Sequence, residues 1–265
     1  MNPRIIGALV LRYLFLYTRS WVRVIELVFW PLMDLLVWGY LTVFLLKNGK
    51  ECFSTPLTFL IGAMIFWDVL FRSQQAVAIS FLEDIWTRNL LNVFVAPIRI
   101  SEFLGATFLV GLIRVVVTVV LLTVMAKVLY AFNLFDLKLS LIPFFANLLI
   151  FGWALGMIST ALITRWGQAA EGLAWAVPFL IQPVSAVFYP VSVLPHWLQP
   201  VGLALPCTHV FEGMREVLAS GAFPWERLGW AMGLNVVYLV LAASFFHFMF
   251  GMAREKGLLT KLGTQ

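Results

Sequence analysis

Apolar residues along this chain come in runs of about twenty, separated by short segments that hold most of the charges. A run of that length crosses the roughly 30 Å hydrocarbon core of a bilayer as a helix. The pattern predicts six spans, at about 24–46, 57–80, 102–126, 141–164, 169–190 and 228–251. Ahead of the first, residues 4–20 interleave Arg4, Arg12 and Arg19 with Ile, Leu, Phe and Tyr, the pattern of a helix lying in the membrane interface. Residues 1–23 are assigned to that interfacial helix.

Two stretches break the rhythm. Between spans two and three, Phe81 to Ala106 reads FLEDIWTRNLLNVFVAPIRISEFLGA. Glu83 and Asp84 stand where a helix would begin, complementing its positive dipole end. Asp84 and Arg88 are spaced as an i,i+4 pair. Leu82, Trp86, Leu90 and Phe94 share one stripe, and Pro97 stops the helix. A charged amphipathic helix over 81–98 is therefore expected on a connecting loop. Between spans five and six, residues 191–227 are too apolar for an ordinary loop, yet Pro195, Pro200 and Pro206, following Pro190, cut them into pieces too short to span. Short re-entrant or interfacial helices, sheltered by other spans, are the expectation there.

Composition agrees with a membrane-embedded chain. Hydrophobic residues make up 62% and charged residues 12%, with a mean hydropathy of +0.95. A soluble domain of 265 residues cannot bury that much apolar surface. The net charge of +5 is dispersed along the borders of apolar runs, which argues against nucleic acid and for orientation by the positive-inside rule. With the N-terminus inside, the inner segments collect Arg4, Arg12, Arg19, Arg23, Arg72 and Arg88, among others, and outnumber the lysines and arginines outside. Both termini and the 81–98 segment are then cytoplasmic, and 191–227 lies outside. No cleavable signal peptide is legible, and the simplest organisation is one transmembrane domain over 1–265.

Enzymatic motifs are missing. No G-x-x-x-x-G-K-[ST] is present to cradle ATP, no H-E-x-x-H or G-x-S-x-G occurs, and His196, His209 and His247 are scattered. No metal site is predicted. What remains chemically distinctive are charges at mid-span depth. Asp34, Asp68 and Arg114 fall near the middle of spans one, two and three, where ionisable groups must pair or face a cavity. They read either as a structural cluster, with Arg114 paired to an aspartate, or as the lining of a translocation path. Glu26, near Arg23, reads as an interfacial ion pair. Trp30-Pro31 should kink span one, and Pro178 and Pro183 span five. Trp21, Trp86, Trp166, Trp197 and Trp225 fit the aromatic belts. Cys52 and Cys207 both fall in outer segments, where an oxidising compartment permits a disulfide, and two free thiols are the other possibility.

Taken together, Ser80–Gly105 and the stretch FYPVSVLPHWLQPVGLALPCTHVFEGMRE at Phe188–Glu216 resemble the type-2 ABC transporter permeases. The first resembles that family's inner helix with an acidic pair, an Arg-Asn and a Pro-Ile before the glutamate opening span three, here Glu102. The second resembles its outer re-entrant hairpin. The resemblance implies an all-α polytopic protein with an N-terminal interfacial helix, six spans and a coupling helix at 81–98. It also implies a homodimer, or a pair of related permeases, binding two copies of a separate ABC ATPase that holds ATP and Mg. Glu83, Asp84, Trp86, Arg88 and Leu90 would then meet the ATPase or anchor the helix. Asp34, Asp68, Gln182 and Tyr189 would line a path for a lipophilic, amphipathic or glycan-type cargo leaving a bacterial inner membrane. The alternative class is an ion-coupled carrier or channel built on Asp34, Asp68 and Arg114, against which stands the lack of a visible inverted repeat.

Overall fold

The computed structural model describes residues 1–48, 58–89, 93, 96, 98–135 and 140–256. All regular elements among them are helical. α1 (Pro3–Thr18), α2 (Trp21–Asn48), α3 (Thr58–Trp86), α4 (Ile100–Tyr130) and α5 (Leu141–Trp166) are followed by the short α6 (Glu171–Ile181). After it come α7 (Gln199–Leu203), α8 (Pro206–Ser220) and α9 (Trp225–Glu255). α2, α4, α5 and α9 are long and apolar enough to cross a membrane. Cys52, Leu90, Phe94 and Pro97 lie outside the described residues.

α3 is the central rod. It is long enough to span, but it carries Asp68, Arg72, Ser73, Gln74 and Gln75 along its middle. Those groups are tolerated because α2, α4, α5 and α6 pack around the rod and hide it, and most of Phe59–Ile85 is buried. α5 approaches most closely. A Cβ built on Gly152 would stand 2.4 Å from the Ser73 Cβ and 2.7 Å from the Leu70 carbonyl oxygen. One on Gly156 would stand 2.8 Å from the Gln74 carbonyl oxygen. This G-x-x-x-G face lets two backbones touch, the device that packs helices where lipid offers no hydrophobic drive. On α9, Asn235 donates to Asn147 of α5 at 2.8 Å, an internal polar tie between two spans.

Two expectations need correction here. The fifth span, expected over 169–190, is α-helical only over Glu171–Ile181, about 16 Å of helix. Turns take over from Gln182, consistent with Pro183, Pro190 and the missing donor of each proline. The inner helix expected over 81–98 does not begin at Glu83. Phe81–Trp86 is the last stretch of α3, and the chain turns away at Thr87 and Arg88, where Arg88 adopts a left-handed φ of 54°. Glu83 and Asp84 therefore sit at a helix C-terminus, the wrong end for an acid, and need outside cations.

At the far end of the bundle, 182–205 forms turns, a short 3-10 segment and α7, all leaning on α8. Arg215 of α8 organises them. Its Nη2 donates to the carbonyls of Ala186, Val187 and Tyr189, at 3.2 Å and 2.6 Å for the last two. Its Nη1 stands 3.1 Å from Glu212, which also accepts the Val191 N–H at 2.7 Å, and the guanidinium covers the Phe59 ring. Ala186 is held at a left-handed φ of 53° by this arrangement. Arg215→Lys, which cannot reach three carbonyls from one fork, is expected to speed amide exchange across 184–194 about tenfold while α9 stays protected. Unchanged exchange there would contradict this role.

Candidate functional site

Where α1, α2, α3, α4 and α6 meet at the Glu83 end of α3, they enclose a half-open cavity of about 750 Å³. Helix periodicity builds its walls. Arg23, Glu26 or Leu27, Trp30 and Asp34 succeed one another at three- and four-residue steps along one face of α2. Arg72, Gln75, Ile79, Glu83 and Trp86 do the same on α3, with Phe71 beside Arg72. Arg114 enters from α4, Trp175 and Phe179 from α6, and Tyr17 from α1.

The charges pair differently from the sequence expectation. Asp68 bonds Arg72, one turn along the same helix, at 2.7 Å, and not Arg114. Arg114 instead lies over the Tyr17 ring, 4.1 Å from its centre. Its Nε and Nη2 are buried without a hydrogen-bond partner among the described residues. The expected Arg114–aspartate pair is thus replaced by an intrahelical ion pair and a cation–π contact, because Arg72 reaches Asp68 without bridging two helices. Arg23 likewise goes to Glu83 at 2.9 Å rather than to Glu26. Asp34 joins the cavity wall, whereas Gln182 and Tyr189 do not: they sit in the far turns, with the Tyr189 hydroxyl on the Pro183 carbonyl.

Glu83 and Asp84 are buried, and both are held from the N-terminal side of the chain. Arg12 of α1 pairs with Asp84, and the Tyr13 hydroxyl donates to the Asp84 Oδ2 at 2.8 Å. Burial works against the Arg12 charge, but the bond to Asp84, the Asp84 charge and Tyr13 together outweigh that and raise its pKa. Burial, followed by the Asp84 charge, pushes the Tyr13 phenol far up, so this hydroxyl stays a donor at any working pH. Asn2 N–H bonds Glu102 at 2.7 Å, and the same carboxylate takes the Arg99 N–H at 2.9 Å, so both ends of α1 are pinned. The pair Asp84–Arg88 expected from i,i+4 spacing gives way to Asp84–Arg12. Beyond this layer Trp86, Thr87 and Arg88 are exposed, and the Trp86 Nε1 donates to Glu171 at 3.2 Å.

One polar contact was missed by sequence reasoning. Pro178 has no N–H for the carbonyl of Ala174, four residues earlier. Gln74 and Gln75 of α3 supply donors instead, at 2.9 Å and 3.2 Å, with Gln74 also on Ser159 at 3.0 Å. The signal was available: two glutamines within a span, and a proline in another. Cys207 is a buried thiol on α8. No cluster of three or more metal-ligating side chains occurs among the described residues.

Residues 6–219 match the family described as ABC-2 type transporter. Among curated proteins, the chain is 25% identical over 186 residues to ABC transporter G family member 20 of Dictyostelium discoideum, covering 69% of this chain and 25% of that protein. It is 29% identical over 87 residues to the uncharacterized protein YhgE of Bacillus subtilis, covering 32% of this chain and 11% of that one. The chain thus spans a quarter or less of the curated relatives it matches.

Proposed function

Because the chain belongs to the ABC-2 type transporter family, we propose that it works as the membrane subunit of an ATP-driven exporter in a bacterial inner membrane. Two copies of a separate ATPase, holding ATP and Mg, would sit against the cytoplasmic end of a homodimer. The family match over 6–219 is the observation that carries this reading. The cavity supports it, since it lies toward the Glu83 end of α3, where Arg12 and Arg23 gather, the side the positive-inside rule would make cytoplasmic. The outward-facing apolar residues of α2 and α6, Phe29, Tyr40 and Leu180 among them, are exposed where a second copy or lipid could meet them.

In this proposal the ATPase seat is not the acidic pair. It includes the exposed Trp86 and Arg88, with Leu90 as a further candidate from the sequence, while Glu83 and Asp84 fasten that seat to α1 and α2 from behind. Movement imposed at Trp86 would pass along the single rod of α3. The rod grips α6 through Gln74 and Gln75 at the Ala174 carbonyl that Pro178 leaves without a helical donor, and α6 leads directly into the turns held by Arg215. Alternating access would follow from rocking these units across the dimer interface, with the cargo entering at the cavity.

Co-expression with the P-loop ATPase that accompanies the chain tests the reading. The ATPase is expected to co-purify, and Arg88→Glu is expected to lower its recovery about tenfold, a loss of ~1.4 kcal/mol in association. Transport by the purified chain in vesicles without any ATPase would overturn the reading.

A further inference from the structure

We propose that the part of the cavity around Asp34 binds a cationic amphiphile: a small organic cation with an aromatic or bulky apolar body. The inference deepens the proposed export function by naming the cargo class, and it rests on the cavity being the place where cargo enters.

Charge balance is the first argument. Three guanidiniums, from Arg23, Arg72 and Arg114, and three carboxylates, from Glu26, Asp34 and Glu83, line the cavity, and Arg72 is further bonded to a fourth carboxylate behind the wall, Asp68. Glu83 takes Arg23 at 2.9 Å, and Asp68 takes Arg72 at 2.7 Å. Arg114 lies over the Tyr17 ring at the Glu83 end, where its charge faces Glu83, although its Nε and Nη2 have no hydrogen-bond partner among the described residues. Asp34 makes no hydrogen bond or ion pair among the described residues, and the one cation near it is already shared with Asp68. A carboxylate about 20 Å along α2 from Trp21 is at a depth where an unmatched charge is costly. A cation brought by a ligand would match it.

The wall beside Asp34 is the second argument. Trp30, Trp175 and Phe179 are 64%, 45% and 52% exposed, and Phe71 completes the group. Aromatic faces attract cations, most strongly where water is scarce, and they also accept apolar bodies. An anion would meet Asp34 unshielded, and a neutral glycan would find few hydrogen-bonding groups on this wall. Location decides the sign: Arg114 lies over Tyr17 at the Glu83 end, whereas beside Asp34 the neighbouring cation, Arg72, is already bonded to Asp68.

The test uses the full chain in phosphatidylcholine nanodiscs, without ATPase or nucleotide. Tetraphenylphosphonium and tetraphenylborate, alike in shape and opposite in charge, are each measured by equilibrium dialysis, with empty nanodiscs subtracted. Protein-dependent uptake is expected for the phosphonium and not for the borate. Asp34→Asn is expected to weaken phosphonium binding about tenfold, Asp34→Glu to restore most of it, and Trp30→Leu to weaken it several-fold. Protein-dependent uptake of the borate equal to or above that of the phosphonium would overturn the proposal. So would no phosphonium uptake by the unmodified chain, or full binding by Asp34→Asn. The two unmodified-chain measurements decide even if a variant does not fold. A missing ATPase partner would defeat the export reading while leaving this binding intact, so the two failures are distinguishable.

Discussion

Arg12→Ala is expected to destabilise the protein by about 3 kcal/mol, and Asp84→Ala by only about 1 kcal/mol, although the two residues form one pair. The difference follows from where each partner is left. The Asp84 side chain is 1% exposed and Arg12 29%. Removing Arg12 strands a carboxylate inside the protein, at the negative end of the α3 dipole, with only the Tyr13 hydroxyl on it. Removing Asp84 leaves a guanidinium whose long stem can carry it to water. The double variant should therefore be close to Asp84→Ala alone, a coupling of about 3 kcal/mol. Denaturant unfolding of the four detergent-solubilised proteins measures the cycle. Equal losses for the two single variants would mean that α1 is not fastened through this pair.

Much of the scaffold was legible because membrane helices are dictated by apolar run length. The expected 102–126, 141–164 and 228–251 appear as α4, α5 and α9, each longer by a few residues at its ends. Run length misjudged 169–190, where apolar composition continues through proline-rich turns that no helix can follow. It also misplaced the start of the 81–98 element. An acidic pair at the head of an amphipathic stretch suggests a helix N-terminus, but the same pair reads equally well as the tail of α3 once arginines from elsewhere neutralise it. Local spacing cannot reveal Arg12 and Arg23, which are some seventy and sixty residues away.

The site shows the same division. Asp34 was singled out by depth, and it does line the cavity. Arg114 was also singled out by depth, but its partner was misassigned because an aromatic ring is not a charge and leaves no electrostatic signal in the sequence. The aromatic wall of Trp30, Phe71, Trp175 and Phe179 was invisible in a chain so rich in Trp and Phe, where only three-dimensional juxtaposition separates a lined cavity from a lipid-facing stripe. The Gln74–Gln75 contact was recoverable from sequence: a proline inside a span always orphans one carbonyl, and a span that keeps two glutamines needs a reason to keep them.

Gly152→Val and Gly156→Val are expected to be the most damaging single changes outside the charged cluster, each removing more than about 3 kcal/mol and leaving little folded protein. The added Cβ at Gly152 would meet the Leu70 carbonyl oxygen at 2.7 Å, and that at Gly156 the Gln74 carbonyl oxygen at 2.8 Å. Both obstacles are backbone of α3, so no rotamer change relieves them, and α5 must back away along its length. Withdrawal would also open the Gln74 bond to Ser159 and loosen the grip on α6, so the damage should spread toward the cavity. Gly233 of α9 gives the control, because nothing lies within 4 Å of a Cβ built there. Gly233→Ala is expected to be neutral or stabilising by up to about 1 kcal/mol, the usual gain of alanine over glycine inside a helix. Thermal unfolding of the three variants beside the parent chain decides the matter. If Gly152→Val melts like Gly233→Ala, close backbone contact between α3 and α5 is not what holds this bundle together.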